Sequence, residues 1–299
     1  MNNIKCNLIT FGTTDYFQLT AKRLVKQAES TNWFDKIFLY NEYDLLPIAK
    51  RNEAPDEINK FYHRTDRWSV RSFSDQYWWK PYMVLKALEQ LNADEVLVWS
   101  DAGNSINYLG EERFFDYIKM CKDGGGFVGF GANKNSYGTF PLEKHNTKIE
   151  VLDTLNLNND LICNTRQLAS GFFLVKKNSF GIDLIKEWRD TARNNLFDAT
   201  TDIEKNYPNF RGHRHDQSLL SLLVKKRWNE INNFLLDSEE YRNHELDEIH
   251  IKYPLLATRV RDQDVTSWKW GYPNEHKNKG IDEDIITVTK SFSETDTII

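Results

Sequence analysis

Four short segments carry residue types that can do chemistry together: Trp78 to Leu88, Trp99 to Asn104, Gln167 to Val175 and His213 to Leu223. Asp101 follows directly on the apolar run Val96, Leu97, Val98, Trp99. A carboxylate at a strand exit can hold a divalent cation, because cations bound with phosphates typically take one or two carboxylates and keep several waters. The same aspartate can instead cap the turn that Gly103 permits. Lys80, at the start of a helical pattern, can neutralise phosphate charge, or it is a solvated lysine at a helix start. His215, Asp216 and Gln217 form a polar cluster opening another apolar helix, where aspartate is also a favoured cap. His213 and His215 have no third ligand close in sequence, so the pair reads as a solvated loop before it reads as a metal site.

These residues need a scaffold, and the periodicity supplies one. Ile4 to Phe11 is β-rich and ends in the turn Thr10, Phe11, Gly12, Thr13, Thr14, Asp15. Phe17, Ala21, Leu24, Val25 and Ala28 recur at helical spacing, and Lys36 to Tyr40 reads as a second strand with Asn41 to Asp44 in its exit loop. Strand, helix and strand predict a right-handed crossover with a parallel pair, whose ligands gather at the carboxyl ends of the strands. Residues 51 to 75 read as a surface loop. Pro81 fits a first helical turn before the stripe Val84, Leu85, Leu88, Leu91, and Asn92 to Asp94 end that helix. Strands are expected over 95–99, 127–130 and 168–175, and helical faces over Phe180 to Trp188 and 216–226. Residues 131–167 read as loop, and the chain from Ser238 is charged with weak periodicity. No repeat or linker divides the 299 residues, which predicts a single α/β domain.

Composition narrows the function. Lys and Arg number 39 against 44 Asp and Glu, a net charge of -5, the wrong sign for a protein that neutralises many nucleic-acid phosphates. No apolar run approaches the roughly 20 residues of a membrane span, and Met1 to Lys5 contains no signal-peptide core. Cys6, Cys121 and Cys163 are widely spaced and read as reduced thiols, which with the missing signal predicts a cytoplasmic setting. Aromatic residues make up 13% of the chain. Flat rings suit sugars and bases, yet abundance alone favours the core. The cluster Tyr77, Trp78, Trp79, Tyr82 could floor a sugar site or anchor its helix to the sheet. Trp268 and Trp270 are stronger acceptor-site candidates if the tail folds back over the cleft.

The order of the four segments resembles that of GT-A glycosyltransferases, and within them it is similar to glycosyltransferase family 8 and related bacterial and viral sugar transferases. The resemblance spans most of residues 4 to 225. It rests on Thr10, Phe11, Gly12, Thr13; on Lys80 before the strand Val96 to Trp99 and the triplet Asp101, Ala102, Gly103; on Ala169, Ser170, Gly171, Phe172, Phe173, Leu174 and later Trp188; and on Asp216, Gln217, Leu219, Leu220. It departs at Gly103, which stands where the Asp-x-Asp motif has its second acid.

The resemblance implies a mixed, mostly parallel sheet flanked by helices in one domain. A nucleotide-binding half would cover about 1–130, an acceptor half about 131–235, and an extension 236–299. It implies transfer of a sugar, of the hexosyltransferase class and with retention, from a nucleotide-diphosphate sugar to a saccharide or glycoconjugate. Donor-binding residues would be Thr10, Phe11, Gly12, Thr13, Lys80, Ser100, Asp101, Ala102, Gly103, Ser170 and Gly171. Asp216, Gln217 and Lys80 would be catalytic, Asp101 would ligate Mn2+ or Mg2+, and Trp79, His215, Trp268 and Trp270 would border the acceptor. A C-terminal histidine, His250 or His276, could add a ligand. The competing readings are a catalytically degenerate carbohydrate-binding or interaction protein of the same fold and a sugar-phosphate nucleotidyltransferase; the latter usually opens with a glycine-rich basic loop, which Thr10 to Asp15 is not.

Overall fold

A computed structural model describes residues 6–45, 77–132, 140–193, 203–227, 235–236 and 252–258. Residues 51 to 75, Trp268, Trp270, His250 and His276 lie outside them. Strand β1 (Cys6–Phe11) leads through helix α1 (Thr14–Thr31) to β2 (Lys36–Tyr40), and β1 and β2 pair in parallel, in line with the strand, helix and strand spacing. Next among the described elements are α2 (Lys80–Glu89), β3 (Val96–Ser100), the short β4 (Ser105–Ile106), α3 (Glu111–Asp123) and β5 (Phe127–Gly131). Three short helices, α4 (Glu143–Asn146), α5 (Ile149–Thr154) and α6 (Asp160–Cys163), occupy the stretch expected to be loop. Each is only four to six residues long, too short for a helical period to show in sequence. Strand β6 (Leu168–Lys176), helices α7 (Ser179–Arg193) and α8 (His215–Lys226), and the two-residue strands β7 (Leu235–Leu236) and β8 (Leu255–Leu256) complete the fold.

Six strands form one sheet in the order β2-β1-β3-β6-β5-β7. Three neighbouring pairs are parallel, and β6 runs antiparallel to both β3 and β5. Strands from both ends of the described sequence thus share one sheet. Because β6 is reversed, its first residues lie beside the carboxyl ends of β3 and β5, with Ser100 opposite Phe172 and Gly131 opposite Leu168. That edge collects the ends of β1, β2 and β3, where ligands of such sheets gather.

Both faces of the sheet are covered, as alternation along the strands requires. Ile9, Leu97, Trp99, Phe173 and Val175 pack with α2, α7 and α8 through Leu88, Trp188 and Leu220. Leu8, Val98, Phe130, Phe172 and Leu174 pack on the other side against α1 and α3, through Leu24, Phe114 and Tyr117. The aromatic excess is mostly core. Phe11 stacks on Trp79 at 3.9 Å, Trp79 meets Trp99 at 6.1 Å, and Trp99 stacks on Phe173 at 6.4 Å.

Part of the C-terminal region also belongs to the fold: β8 pairs antiparallel with β4, immediately after the Asp101 loop. At the opposite end of the chain, Gly12 makes the tight exit from β1, donating its N–H to the Tyr40 carbonyl at 3.1 Å. A Cβ at Gly12 would lie 2.5 Å from the Phe17 carbonyl oxygen. Gly12→Ala is therefore expected to destabilise the fold by about 1–3 kcal/mol, as overpacking does. Chemical denaturation checks this; an unchanged midpoint would show that the turn has room to relax.

Candidate functional site

Lys80 is the hub of the carboxyl edge. It opens α2, its indole neighbour Trp79 is stacked into the core, and Pro81 holds the first helical turn without needing a hydrogen-bond acceptor. The Lys80 side chain is almost wholly buried, with Nζ 3.2 Å from Asp101 Oδ1 and 2.7 Å from Asp216 Oδ2. Nζ also donates to the Ser170 carbonyl at 3.2 Å, and it sits 5.4 Å from the Tyr77 ring centre and 5.2 Å from that of Trp99. Burial opposes its charge, but the two carboxylates outweigh burial and hold the ammonium above the ordinary lysine range. For Asp216 burial is the larger influence and raises its carboxyl, against the opposing pull of Lys80 and the Ser170 hydroxyl.

Asp101 is the outward member of this cluster, its side chain 43% exposed. Its backbone N–H donates to the Gly171 carbonyl at 2.8 Å, tying the β3 exit to the β6 start. Its Oδ1 accepts from the Trp99 indole Nε1 at 3.0 Å and faces Lys80. Its Oδ2 accepts no hydrogen bond from a described residue. The loop beyond it is fixed from behind by Arg23, buried on α1, which donates to the carbonyls of Ala102 at 3.0 Å and Asn104 at 2.6 Å, to Ser105 Oγ at 3.0 Å and to Gln27 Oε1 at 3.1 Å. Asn104 Nδ2 donates to Ser100 Oγ and to the Gly171 carbonyl. Thr258, next to β8, donates to the Gly103 carbonyl at 3.2 Å and pairs with Ser105 Oγ at 2.8 Å.

Helix α8, which Asp216 opens, is braced further along by a separate buried network. Lys225 pairs with Glu143 at 2.6 Å, Ser221 hydrogen-bonds the same Glu143 oxygen, and Ser218 donates to the Asn146 carbonyl at 2.6 Å. His215, just before Asp216, has a φ of 44°, a left-handed conformation that is uncommon outside glycine and typical of constrained sites.

The structure therefore brings Lys80, Asp101, Asp216 and Ser170 into one cluster, with Ser100 and Gly171 as its backbone frame. Lys80 is not the solvated lysine of the alternative reading: it is 1% exposed and its ammonium faces two carboxylates. Gln217 donates to Gln167 Oε1 at 2.6 Å. Trp79, expected at an acceptor site, is 5% exposed and anchors α2 to the sheet, as do Trp78 and Tyr82; Tyr77, 40% exposed, is the member of that aromatic group with an open ring. His215 lies 6.4 Å from Tyr77, ring to ring, on the same rim. Thr10, Phe11, Gly12 and Thr13 sit at the end of β1 and are buried, and Thr10 Oγ1 finds no hydrogen-bond partner among the described residues.

Sequence reasoning misses Arg23, Asn104, Thr258 and the polar use of Trp99. For Arg23 a signal exists: Thr20, Arg23 and Gln27 form a buried polar stripe at three- and four-residue spacing beside the apolar one. Among the described residues no group of three or more His, Cys, Asp or Glu could hold a metal ion. The donor set instead fits a cation shared with a phosphate ligand, since Asp101 Oδ2 offers one carboxylate oxygen and hard cations readily take the rest from phosphate and water.

Comparison with known proteins adds outline similarity. No family model matches the sequence, and no curated protein matches it. Among solved structures, a glycosyltransferase involved in glycosylating the major capsid of PBCV-1 is 10% identical, with TM-score 0.43, over 87% of this chain and 95% of that one. The galactosyltransferase LgtC, solved with donor and acceptor sugar analogues, is 8% identical, with TM-score 0.41, over 95% of this chain and 98% of that one. At these scores the likeness identifies no family, and a functional assignment has to stand on the site geometry. No described helix is long and apolar enough to cross a membrane.

Lys80→Met would leave Asp216 buried without its cation, and breaking a buried ion pair from one side costs about 3–5 kcal/mol. The loss should shrink as pH falls, because protonating Asp216, whose carboxyl burial already raises, removes the buried charge left without its cation. Unfolding midpoints measured across the acid range check the sign; a loss that grows toward low pH would contradict the ion-pair account.

Proposed function

We propose that the chain is a glycosyltransferase of the GT-A type that moves a sugar from a nucleoside-diphosphate sugar to a saccharide or glycoconjugate acceptor. One observation carries the reading: a half-exposed carboxylate and a buried carboxylate meet at one lysine, at the carboxyl edge of a sheet whose first strand ends beside them. Taken formally, one ammonium and two carboxylates leave this cluster at -1 (+1 - 2). A bare diphosphate would be repelled, whereas a cation would be attracted. A divalent cation, Mn2+ or Mg2+, bound there with the diphosphate would neutralise the charge that develops on the leaving group.

The chain's own residues do the rest. Asp101 presents Oδ2 to the cation, Lys80 keeps the two carboxylates together, and Ser170 with Gly171 forms the floor between them. Asp216 borders the sugar and favours positive character at the anomeric carbon as the glycosidic bond lengthens. The Thr10 to Thr13 turn is assigned to the nucleotide, and Tyr77 with His215 to the acceptor side of the rim. Retention of anomeric configuration is part of the proposal.

The test is a thermal-shift and hydrolysis screen of nucleoside diphosphates and their sugars, with and without Mn2+, followed by proton NMR of the released sugar. Cation-dependent stabilisation together with slow donor hydrolysis is expected. Asp101→Ala should lower hydrolysis at least a hundredfold while leaving the fold intact, since its side chain is half exposed. Stabilisation by free glycans alone, with no effect of any nucleotide, would instead support a carbohydrate-binding protein without turnover.

A further inference from the structure

Resting on the glycosyltransferase reading, we propose that Trp99 is a positioning residue for Asp101: its indole N–H fixes Oδ1 on the protein side, so that Oδ2 is the oxygen presented to a cation and diphosphate. Trp99 sits in β3, where apolar packing fully explains its ring, yet packing does not require a nitrogen. Its Nε1 lies 3.0 Å from Asp101 Oδ1. Two positions apart at the strand end, the two side chains project to the same side of the sheet.

The indole itself cannot swing. It is 1% exposed, it stacks on Phe173 with an interplanar angle of 19° and a centroid distance of 6.4 Å, and Trp79 flanks it at 6.1 Å. Lys80 Nζ faces its ring at 5.2 Å and the same Oδ1 at 3.2 Å. Asp101 is held at its main chain by Gly171, while its side chain is 43% exposed to solvent. Without the indole donor the carboxylate would be restrained by Lys80 alone, a flexible side chain that also serves Asp216. Groups that orient a metal-ligating carboxylate from behind commonly change metal affinity by 10–100-fold when lost.

Trp99→Phe keeps the ring stack and removes the N–H. Calorimetric titration with a panel of nucleoside diphosphates, with and without Mn2+, is expected to show roughly tenfold weaker cation-dependent binding in the variant, unchanged cation-free binding, and an unfolding midpoint near that of the parent. In an Asp101→Ala background the same substitution should have no further effect, because the coupling runs through the carboxylate. Equal cation-dependent affinity in Trp99→Phe and the parent overturns the proposal. A second readout does not depend on that variant folding: in 15N-labelled Asp101→Ala protein one indole N–H resonance should move upfield, and the same resonance in the parent should be broadened by Mn2+ added with a diphosphate. An indole spectrum unmoved by Asp101→Ala also overturns it. If the parent binds no nucleoside diphosphate at all, the transferase reading fails, while the indole shift alone still decides whether Trp99 holds Asp101.

Discussion

The buried Lys80 ammonium is the constraint around which the candidate site is arranged. A lysine taken fully out of water is stable as a cation only if charges and dipoles surround it. Here they come from four separate elements: Asp101 after β3, Ser170 at the start of β6, Asp216 at the start of α8, and the Tyr77 and Trp99 rings. Together they keep the lysine charged, so the ammonium couples segments from residue 77 to residue 216 at the sheet edge. Burying two opposite charges seldom adds much net stability, yet removing one partner is costly. That asymmetry makes such a cluster a device for fixing relative position more than for strengthening the fold.

Two further polar networks brace the loop after Asp101 and helix α8. Arg23 and Thr258 reach the Asp101 loop from α1 and from beside β8, mostly through its backbone carbonyls. The Glu143 and Lys225 pair with Ser218, Ser221 and Gln167 ties α8 to α4 and β6. Neither network touches the other's aspartate. Lys80 joins the two aspartates between them, and many of the buried polar side chains at this edge find their partners at positions distant in sequence.

Legibility in the sequence tracks the range of the interactions that produce each feature. The alternating strands, the α1, α7 and α8 faces and the exit of Asp101 from β3 arise from local periodicity, and they emerge where the pattern places them. The three short helices between β5 and β6 do not, because a single turn has no period and forms through tertiary contacts such as Leu142 with Arg166. The site shows the same division. Lys80, Asp101, Ser170 and Asp216 can be named one by one, but that they meet depends on tertiary structure and not on any residue's neighbours: Lys80 opens α2, Asp101 follows β3, Asp216 opens α8, and Ser170 is brought to the β3 exit by β6 running antiparallel. Trp79 misleads for a related reason: the same Trp-rich helix start serves a sugar platform or a core anchor, and only the 3.9 Å stack on Phe11 selects the anchor. Thr258 is hidden because its two partners lie 153 and 155 residues earlier.

The electrostatics of the cluster also bears on which function suits it. A module that only binds neutral glycans can do so with rings and uncharged hydrogen-bonding groups, and it gains nothing from three ionised side chains whose desolvation is expensive. A site that must gather a cation and a diphosphate has the opposite need. It requires a carboxylate oxygen facing solvent, a fixed geometry behind that oxygen, and a residual negative charge that is small enough to be reversed by one divalent ion. Asp101, its side chain 43% exposed with Oδ1 bonded by Trp99 and facing Lys80, and Asp216 at the same ammonium supply charged groups of the second kind.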